Sequence, residues 1–516
     1  MRAPLSLVAL VLSLVPFEAL AQDPSFHGYL SERLEGTLVR EDALLPTRDL
    51  PMVLSVSEAS LQAGARLLDD KLSVRADVSA LFSAGGVYLD RDPETGKLAL
   101  VDDHDVSALR PRVVFSEGYV ALEPFEHLRL TLGKKRVVWG SGQHASPTDV
   151  LNPPRDPTDA SLQRAGALHA LADIPFERFT LSALFSPAAL YQESGIPYRV
   201  LSYPDYAPAE TVARPDAFKD PRDGQLHFAA ALRLYALLFD TDVNAWLLYS
   251  NLYKDDFENK LRFALSLSRN VFQSHEVHLE VLSQTGSSRL YPNEACTGSA
   301  QDFLRCGLEG APLLEATELE SDAWLPHILI GTRSFFDDGG VLTLEYLYQA
   351  DGYSRAQLES FLFLEERVGE LARRGRLPDG ALSSGEGELP LRFSFEPRRR
   401  HYSFATYTRP NLFDDWTVQG TLITALEDLS SIASAQVSWA AQEWMTVSLF
   451  AFVPLPSLSR LSSYIDGDPL LDLEEDTDGD WHELFPFAPR VSGRPYGEHD
   501  ALPMDARVMA EARFYF

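Results

Sequence analysis

The chain ends in the sequence Arg507-Val508-Met509-Ala510-Glu511-Ala512-Arg513-Phe514-Tyr515-Phe516, and this stretch decides its fold. In an extended chain, one face carries Arg507, Met509, Glu511 and Arg513. The opposite face carries Val508, Ala510, Ala512, Phe514 and Phe516. Because successive side chains of a strand point to opposite sides, this alternation predicts a β-strand with one charged and one apolar face. The edge strand of a soluble β-sandwich and a strand of a membrane-spanning barrel both have this pattern.

The first 21 residues predict a signal peptide. They hold one cation, Arg2, an apolar stretch from Leu5 to Phe17, and the small residues Ala19 and Ala21 in the pattern that a signal peptidase cuts. The apolar stretch has about 13 residues, too few to cross a membrane as a helix. The sequence therefore predicts export of residues 22–516, which we expect to form a single domain without a helical anchor.

The carboxy-terminal strand also carries a resemblance. An alternating strand that ends on Phe resembles the terminal strand that the outer-membrane assembly machinery recognises. The resemblance implies that Phe514 and Phe516 act as an assembly signal, and that the partners include this machinery, outer-membrane lipid and lipopolysaccharide. Together with the predicted export, it favours a barrel in the outer membrane of a Gram-negative bacterium over a soluble sandwich.

Alternating segments recur along the chain, and the connections between them are short and long by turns. Short turns are expected at 69–70, 123–126, 172–175, 240–242, 270–273, 337–340, 409–414 and 441–444. Long connections are expected at 84–111, 140–163, 187–224, 286–325, 351–398 and 454–505. Tight turns at one end and long extracellular loops at the other are typical of an outer-membrane barrel.

The count of strands follows from these connections. A first strand over residues 26–40, paired with 59–68, completes an all-β, antiparallel, up-and-down transmembrane barrel of about 18 strands. The outer loops expected at 251–259 and 427–429 are short, so 16 strands is the alternative. Aromatic residues near the expected strand ends, among them Trp139, Trp246 and Trp444, are typical of interfacial girdles, although core packing explains some of them equally well.

The charge is strongly acidic. Asp and Glu number 75 against 45 Lys and Arg, so the formal net charge is −30. Nucleic acid is therefore not an expected partner. In a barrel such an excess would keep the surface hydrated, bind divalent cations beside lipopolysaccharide, or bias a pore toward cations, and the composition does not choose among these roles.

The two cysteines, Cys296 and Cys306, lie close together in the sequence. In an oxidising compartment they predict one disulfide that closes a small surface loop. A metal site built on only two cysteines is not expected.

In the stretch from Ser354 to Arg374, within an outer loop, the apolar residues follow a helical and not an alternating pattern. Apolar residues recur at helical spacing within it, Ser354 is placed as an N-cap, and Arg373-Arg374 ends it. We therefore expect a short helix in this loop. It either packs as a lid on the rim or folds into the lumen as a gate.

The segment Leu132 to Asp159 reads LGKKRVVWGSGQHASPTDVLNPPRDPTD. A Gly-basic strand, a Trp-Gly turn and a Pro/Asp-rich loop containing Leu-Asn-Pro resemble a signature of poorly characterised proteobacterial outer-membrane barrels. Related patterns occur in porin-like families such as the alginate-export type. The resemblance covers under a tenth of the chain, so it implies a class of barrel and no substrate.

This segment contains the third outer loop, the position at which many porins fold a loop inward. Its charged residues are therefore candidates for a pore constriction with a transverse field: Lys134, Lys135, Arg136, Asp149, Arg155, Asp156 and Asp159. A rigid turn held by prolines, with Arg155 and Asp156 paired locally, is the equal alternative.

Alternation also predicts which side chains face the lumen. The expected set is Arg75, Asp77, Arg233, Glu276, His278, Glu280, Glu345, Arg507, Glu511 and Arg513. A conducting pore requires such residues on most of its strands.

Two groups of residues could ligate a metal. Glu276, His278 and Glu280 share one face of a strand at consecutive spacings of roughly 7 Å, which is wide for one small ion. The acidic run DLEEDTDGD holds Asp476, Asp478 and Asp480, but Phe485 stands where an EF-hand needs a bidentate Glu. A looser Ca²⁺ or other divalent-cation site in this loop is the only cofactor that we consider.

The sequence thus supports a porin-like channel for the diffusion of small hydrophilic solutes. The alternative is a plugged structural or adhesive barrel whose acidic loops bind surface polysaccharide or cations. A lipid-modifying barrel enzyme is a third hypothesis. We do not expect an enzyme, because the sequence has no G-x-S-x-G or H-E-x-x-H motif, and Ser141 with His144 is the only suggestive pair in a loop.

Overall fold

The computed structural model describes residues 22–39, 51–68, 71–91, 98–101, 110–151, 166–187, 228–250, 260–287, 289–309, 311, 313–316, 323–373, 398–455, 490–491, 494–495 and 504–516. The expected signal peptide and the acidic run with Asp476, Asp478 and Asp480 lie outside these residues, as do Arg155, Asp156 and Asp159.

Eighteen long strands form the wall. They are β1 Gln22–Val39, β2 Pro51–Leu67, β3 Leu72–Arg91, β4 Arg110–Phe125, β5 Leu128–Lys135, β6 Ala167–Pro175, β7 Phe179–Pro187, β8 Phe228–Leu238, β9 Thr241–Ser250, β10 Lys260–Val271, β11 His275–Thr285, β12 Trp324–Phe335, β13 Val341–Gln349, β14 His401–Leu412, β15 Trp416–Ala425, β16 Ser431–Gln442, β17 Met445–Leu455 and β18 Met504–Tyr515. Each pairs antiparallel with its neighbours in the chain, and β18 pairs with β1, so the sheet closes into a barrel. The predicted fold with 18 strands is confirmed, and the alternative of 16 strands is wrong.

Two details of the predicted connections were wrong. Residues 172–175, expected as a turn, end strand β6, and the turn follows at 176–178. Pro175 misled the prediction, because proline is a turn residue that is also tolerated at the end of a strand. The expected loop 84–111 is shorter, since β3 continues to Arg91 and the short strand Leu98–Val101 pairs back onto it.

The barrel has an apolar exterior and a polar interior. On β1, Leu30, Leu34 and Leu38 are more than half exposed on the outer face, whereas Arg33 and Glu35 are buried on the inner face. A soluble protein would reverse this arrangement. A closed sheet leaves no unpaired edge, which is the condition for crossing lipid with strands. The outer face is therefore the lipid-facing surface of a transmembrane barrel.

The short turns carry exposed aromatic side chains. Phe239, Phe272 and Phe413 are each more than four-fifths exposed at these turns, and Trp444 is half exposed. Rings at this level form the girdle expected where a barrel meets the membrane interface.

Three helices lie in the described outer connections: α1 Glu294–Thr297, α2 Ala300–Glu309 and α3 Arg355–Arg373. The sequence predicted α3 but not α1 or α2. None of the described helices is long and apolar enough to cross a membrane.

The two ends of the wall meet at Gly28 and Phe516. The backbone N–H of Gly28 donates to the carbonyl of Phe516, and the N–H of Phe516 donates back to Gly28, both at 3.0 Å. A Cβ atom at Gly28 would lie 2.4 Å from the Phe516 ring and 2.7 Å from the Ser60 carbonyl oxygen. The ring of the last residue therefore fits over the seam only because position 28 has no side chain.

We expect Gly28→Val to destabilise the closed barrel by about 1–3 kcal/mol, because the new side chain overpacks the seam. The fraction of heat-modifiable, folded protein after refolding into detergent or vesicles measures the effect. Gly420→Val is the matched control, since a Cβ at Gly420 meets no atom within 4 Å. Equal folding yields for the two variants would contradict this account of the seam.

Candidate functional site

Residues 136–151, which follow β5, leave the wall and lie inside the barrel. We call them the inner segment. Its contacts are with inward-facing side chains of the wall, and Ser141 Oγ lies 3.0 Å from Ser266 Oγ on β10. These residues belong to the third outer loop, which the sequence predicts to fold inward.

Glu280 on β11 is the first anchor of the inner segment. Its side chain has no exposed surface. One carboxylate oxygen accepts from the backbone N–H groups of Ser141 and Gly142, the latter at 2.6 Å. The other accepts from the hydroxyls of Ser146 and Thr148, each at 2.8 Å. Within the described chain no cationic side chain pairs with Glu280, so the donors of the loop compensate its charge.

Glu345 on β13 is the second anchor. It accepts from the backbone N–H of Gln143 at 2.7 Å and from that of His144 at 3.0 Å. The ring nitrogens His144 Nδ1 and His278 Nε2 lie 3.1 and 3.0 Å from its oxygens. Gly331 on β12 stands between His278 and Glu345 in the register, and a Cβ there would lie 2.2 Å from His278 Nε2. Because Gly331 has no side chain, His278 on β11 can reach Glu345 on β13 across β12.

The inner segment also packs against an apolar surface of the inner wall. Val137, Trp139 and Leu151 are buried against the inner wall of β6 to β11. The wall residues of this cluster are Leu171, Leu184, Ala231, Trp246, Leu248, Ala264 and Leu282. Trp139 and Trp246, which the sequence places near strand ends as possible girdle residues, pack together here with ring centroids 6.1 Å apart. Apolar burial and two buried carboxylates therefore hold the segment in place together.

The inner segment spans much of the barrel. At its start, the Arg136 N–H donates to Glu117 on β4 at 2.9 Å. Further along, His144 Nε2 lies 2.6 Å from Thr406 Oγ1 on β14, and the His144 ring stacks on Phe404. Because β14 lies half-way around the ring from β5, the segment crosses the interior rather than following the rim.

A cavity of about 380 Å³ lies beside the inner segment. Gln143 and His144 border it on one side. The rest of its lining comes from the inner faces of β12 to β17, toward the ends that carry the short turns.

The structure separates the basic residues expected at the constriction. Lys135 lies over the Tyr119 ring at 4.9 Å, and the Arg136 guanidinium is 3.8 Å from Glu117. Lys134 immediately precedes Lys135 in extended β5, so alternation places its side chain on the opposite face. Asp149 lies within the inner segment, where its backbone N–H donates to Ser146 at 3.1 Å.

Several residues expected in the lumen form a charged cluster on β3 and β4. Arg75 and Arg136 lie 4.0 and 3.8 Å from Glu117, and Asp77 accepts from Gln62 at 2.9 Å. On β8, the Arg233 guanidinium lies 5.5 Å from the centre of the Trp139 ring, beneath the inner segment.

A second charged cluster lies at the seam. Arg507 on β18 donates to Glu35 on β1 at 2.5 Å, and Arg33 lies 3.0 Å from the same carboxylate. Arg513 pairs with Glu511 at 3.0 Å. Arg33 and Glu35 were not among the residues predicted to face the lumen. The alternation of Ser31, Arg33, Glu35 and Thr37 along β1 is the signal that would have found them.

The candidate ligands Glu276, His278 and Glu280 do not converge. Glu276 pairs with Arg333 at 3.3 Å, His278 bonds to Glu345, and Glu280 holds the inner segment. Among the described residues no group of three potential ligands could hold a metal ion. Side chains on the same face of a strand are two residues, roughly 7 Å, apart, so each of these three side chains meets a different partner.

A folded unit, which we call the cap, lies in the outer connections. It comprises α1, α2, α3 and the hairpin of Leu290–Pro292 with Leu314–Ala316. The predicted disulfide between Cys296 and Cys306 is confirmed and lies in the core of the cap. The other core residues are Tyr291, Phe303, Leu314, Tyr353, Leu358, Phe361, Leu362, Leu364 and Val368.

Helix α3 begins with a reciprocal cap. The Gln357 N–H donates to Ser354 Oγ at 3.3 Å, and the Ser354 N–H donates to Gln357 Oε1 at 2.8 Å. The apolar face of α3 packs against the disulfide loop. That α3 acts as a lid on the rim stays a hypothesis. The gate expected as the other alternative stays a hypothesis.

One carboxyl in the cap is buried without a strong partner. Glu365 on α3 is 3 % exposed, and its nearest cation in the described chain is Arg398, 3.9 Å away. Burial raises the pKa of Glu365 to about 7, although the Arg398 guanidinium acts in the opposite direction.

Comparisons with known proteins add similarity of shape only. Neither a protein-family model nor a curated protein matches the chain. Acinetobacter baumannii OccAB1 is 9 % identical with a TM-score of 0.48, over 96 % of this chain and 97 % of that chain. Pseudomonas aeruginosa opdK, an outer-membrane protein, is 8 % identical with a TM-score of 0.45, over 96 % and 100 %. Pseudomonas aeruginosa OprD is 8 % identical with a TM-score of 0.43, over 96 % of both chains.

The expected likeness to alginate-export barrels is not supported by these matches. At such low sequence identities and TM-scores, these similarities do not support the assignment of this chain to a class of protein. The closed ring of 18 strands, its lipid-facing exterior and its polar interior carry it instead. The chain forms a closed, 18-stranded transmembrane β-barrel of the outer-membrane type.

The raised pKa of Glu365 gives the cap a pH dependence. The folded cap favours the protonated carboxyl, so its stabilisation is complete below the ordinary pKa of about 4.5 and is lost as the pH rises through about 7. We expect Glu365→Gln to remove this dependence and to stabilise the cap above pH 7 by on the order of 3 kcal/mol. Hydrogen exchange of α3, corrected for intrinsic pH effects, measures it. Glu359→Gln, at a partly exposed carboxylate of α3 that pairs with Arg355, is the control. Equal exchange in wild type and Glu365→Gln at pH 8 would contradict the prediction.

Proposed function

We propose that this barrel is a passive, porin-like channel for small hydrophilic solutes, narrowed by its inner segment. The observation that carries the proposal is the attachment of the inner segment to Glu280 and Glu345 inside the barrel. A loop held against the wall at two points narrows a lumen at one level and leaves space beside itself. The cavity next to Gln143 and His144 is such a space, and polar side chains form most of its border.

The distribution of charge supports a hydrophilic path without a strong preference for one sign. Two cations of the described wall lie beside carboxylates, Arg507 beside Glu35 and Arg333 beside Glu276. Paired charges present a weaker net electric field to a passing solute than a ring of side chains that all carry the same charge. We propose that the narrowest part lies at the inner segment, where Lys135 lies over the Tyr119 ring and Arg136 lies beside Glu117 at one edge. Passage by diffusion requires no cofactor and no catalytic residue.

The partners of the barrel follow from the same proposal. Outer-membrane lipid and lipopolysaccharide would cover the outer face, and small hydrophilic solutes would occupy the lumen. The assembly machinery would recognise Phe514 and Phe516 before the barrel closes, because in the closed barrel the backbone of Phe516 is hydrogen-bonded to that of Gly28.

Single-channel recording in planar bilayers tests the proposal. We expect discrete conductance steps from the refolded wild-type protein and larger, noisier steps from Glu280→Ala. That substitution leaves buried donors of the inner segment without an acceptor, each at a cost of about 1–3 kcal/mol, and so releases the segment from the wall.

Glu280→Gln is the matched control. The amide oxygen can still accept from the N–H groups of Ser141 and Gly142, while its NH₂ group donates to the hydroxyls of Ser146 and Thr148. We therefore expect this variant to conduct nearly as the wild type does. A folded barrel that inserts but never conducts would overturn the proposal and favour the plugged, adhesive alternative. Identical steps in all three proteins would show that the inner segment does not narrow the pore.

A further inference from the structure

The cavity beside the inner segment has an unusual lining. Seven hydroxyl or carboxamide side chains from β13 to β16 face it, namely Thr343, Thr406, Thr408, Gln419, Thr421, Ser434 and Gln436. Hydroxyls and carboxamides both donate and accept hydrogen bonds. A solute whose own groups also donate and accept would match this surface at many orientations.

Several of these groups have no partner among the described residues. Within the part of the chain that the structure describes, the side chains of Thr343, Thr408, Gln419 and Ser434 make no hydrogen bond to another residue. By contrast, Thr421 Oγ1 lies 2.7 Å from Thr406 Oγ1. The open donors and acceptors are therefore clustered on one side of the lumen, where only solvent or a solute can satisfy them.

The lining carries no uncompensated charge. No carboxylate is among the described residues that border the cavity. Its one Arg, Arg333, lies 3.3 Å from Glu276, and His144 lies 3.1 Å from Glu345. An ionic solute would find no free counter-charge here, so the surface favours a neutral one.

Two aromatic rings complete the lining, Phe335 from β12 and Phe450 from β17. Phe335 is two-fifths exposed, so its ring is available to a solute. An aromatic face packs well against the C–H face of a sugar ring, whose hydroxyls point outward to polar neighbours. The volume of about 380 Å³ is in the range of small-molecule sites, roughly 300–1,000 Å³.

We propose that this cavity is a binding subsite for neutral saccharides of one or two sugar units. The inference rests on the proposed channel function and adds the class of solute. Gln419 and its hydroxyl neighbours bind the sugar hydroxyls, and Phe335 and Phe450 contact the sugar ring. The inner segment, through Gln143 and His144, forms the border that a sugar must pass.

The test is the interruption of ion current by added sugar in single-channel recordings, with glucose and maltose as probes and gluconate as an anionic comparison. We expect concentration-dependent current interruptions with the neutral sugars and weaker ones with gluconate. In Gln419→Leu the affinity for maltose should fall about tenfold, the equivalent of the two hydrogen bonds that the amide can offer. The variant should still fold, insert and conduct, because Gln419 bonds to no described residue.

Gln62→Leu, on the inner face of β2 and outside the cavity, is the matched control and should retain the wild-type maltose affinity. Channels that conduct but show no interruption by either sugar would overturn the subsite and leave the channel function intact. Equal maltose affinities for wild type and Gln419→Leu, or tighter binding of gluconate than of glucose, would overturn it as well. A barrel that never conducts would instead refute the channel itself.

Discussion

Glu280 lies inside the barrel with no exposed surface, and its carboxylate is surrounded by donors from a loop that begins six strands away. A buried carboxylate without a cation is costly unless several hydrogen bonds compensate its charge. Only the inner segment supplies them in the described chain, so the loop and the wall stabilise each other. Glu345 repeats the arrangement with the next residues of the same segment. The position of the inner segment, the shape of the lumen and the cavity beside it all depend on these two acids.

The wall itself is more predictable than its interior. The alternation in the last ten residues and the parity of short and long connections suffice to predict an 18-stranded barrel, because lipid on one side and water on the other impose both patterns. The end of β3 was misplaced because strand pairing continues beyond the expected boundary, and the 176–178 turn was misplaced because Pro175 ends a strand instead of beginning a turn. The inward fold of residues 136–151 was expected only because they belong to the third outer loop.

The site depends on contacts that leave little trace in the sequence. Alternation predicted that Glu280 and Glu345 face inward, but it could not show that their partners are backbone N–H groups of residues 141–144. Gly331 joins His278 to Glu345 by having no side chain, which no periodicity reveals. Lys134 was grouped with Lys135 by composition, although adjacent residues of a strand face opposite ways. The cap illustrates the same limit, since α1 and α2 are short and are organised around a disulfide and a shared core.

Cross-linking of the inner segment to the wall tests the central claim most directly. Ser141 and Ser266 face each other with their hydroxyls 3.0 Å apart, so Ser141→Cys with Ser266→Cys should form a disulfide in the folded barrel. Peptide mass spectrometry distinguishes it from the native Cys296–Cys306 bond, and Ser141→Cys with Ser448→Cys on β17 is the control that should remain unlinked. Ready formation of the first cross-link alone is the result that the account predicts. Free thiols at 141 and 266, both labelled by a bulky maleimide in the folded protein, would contradict it.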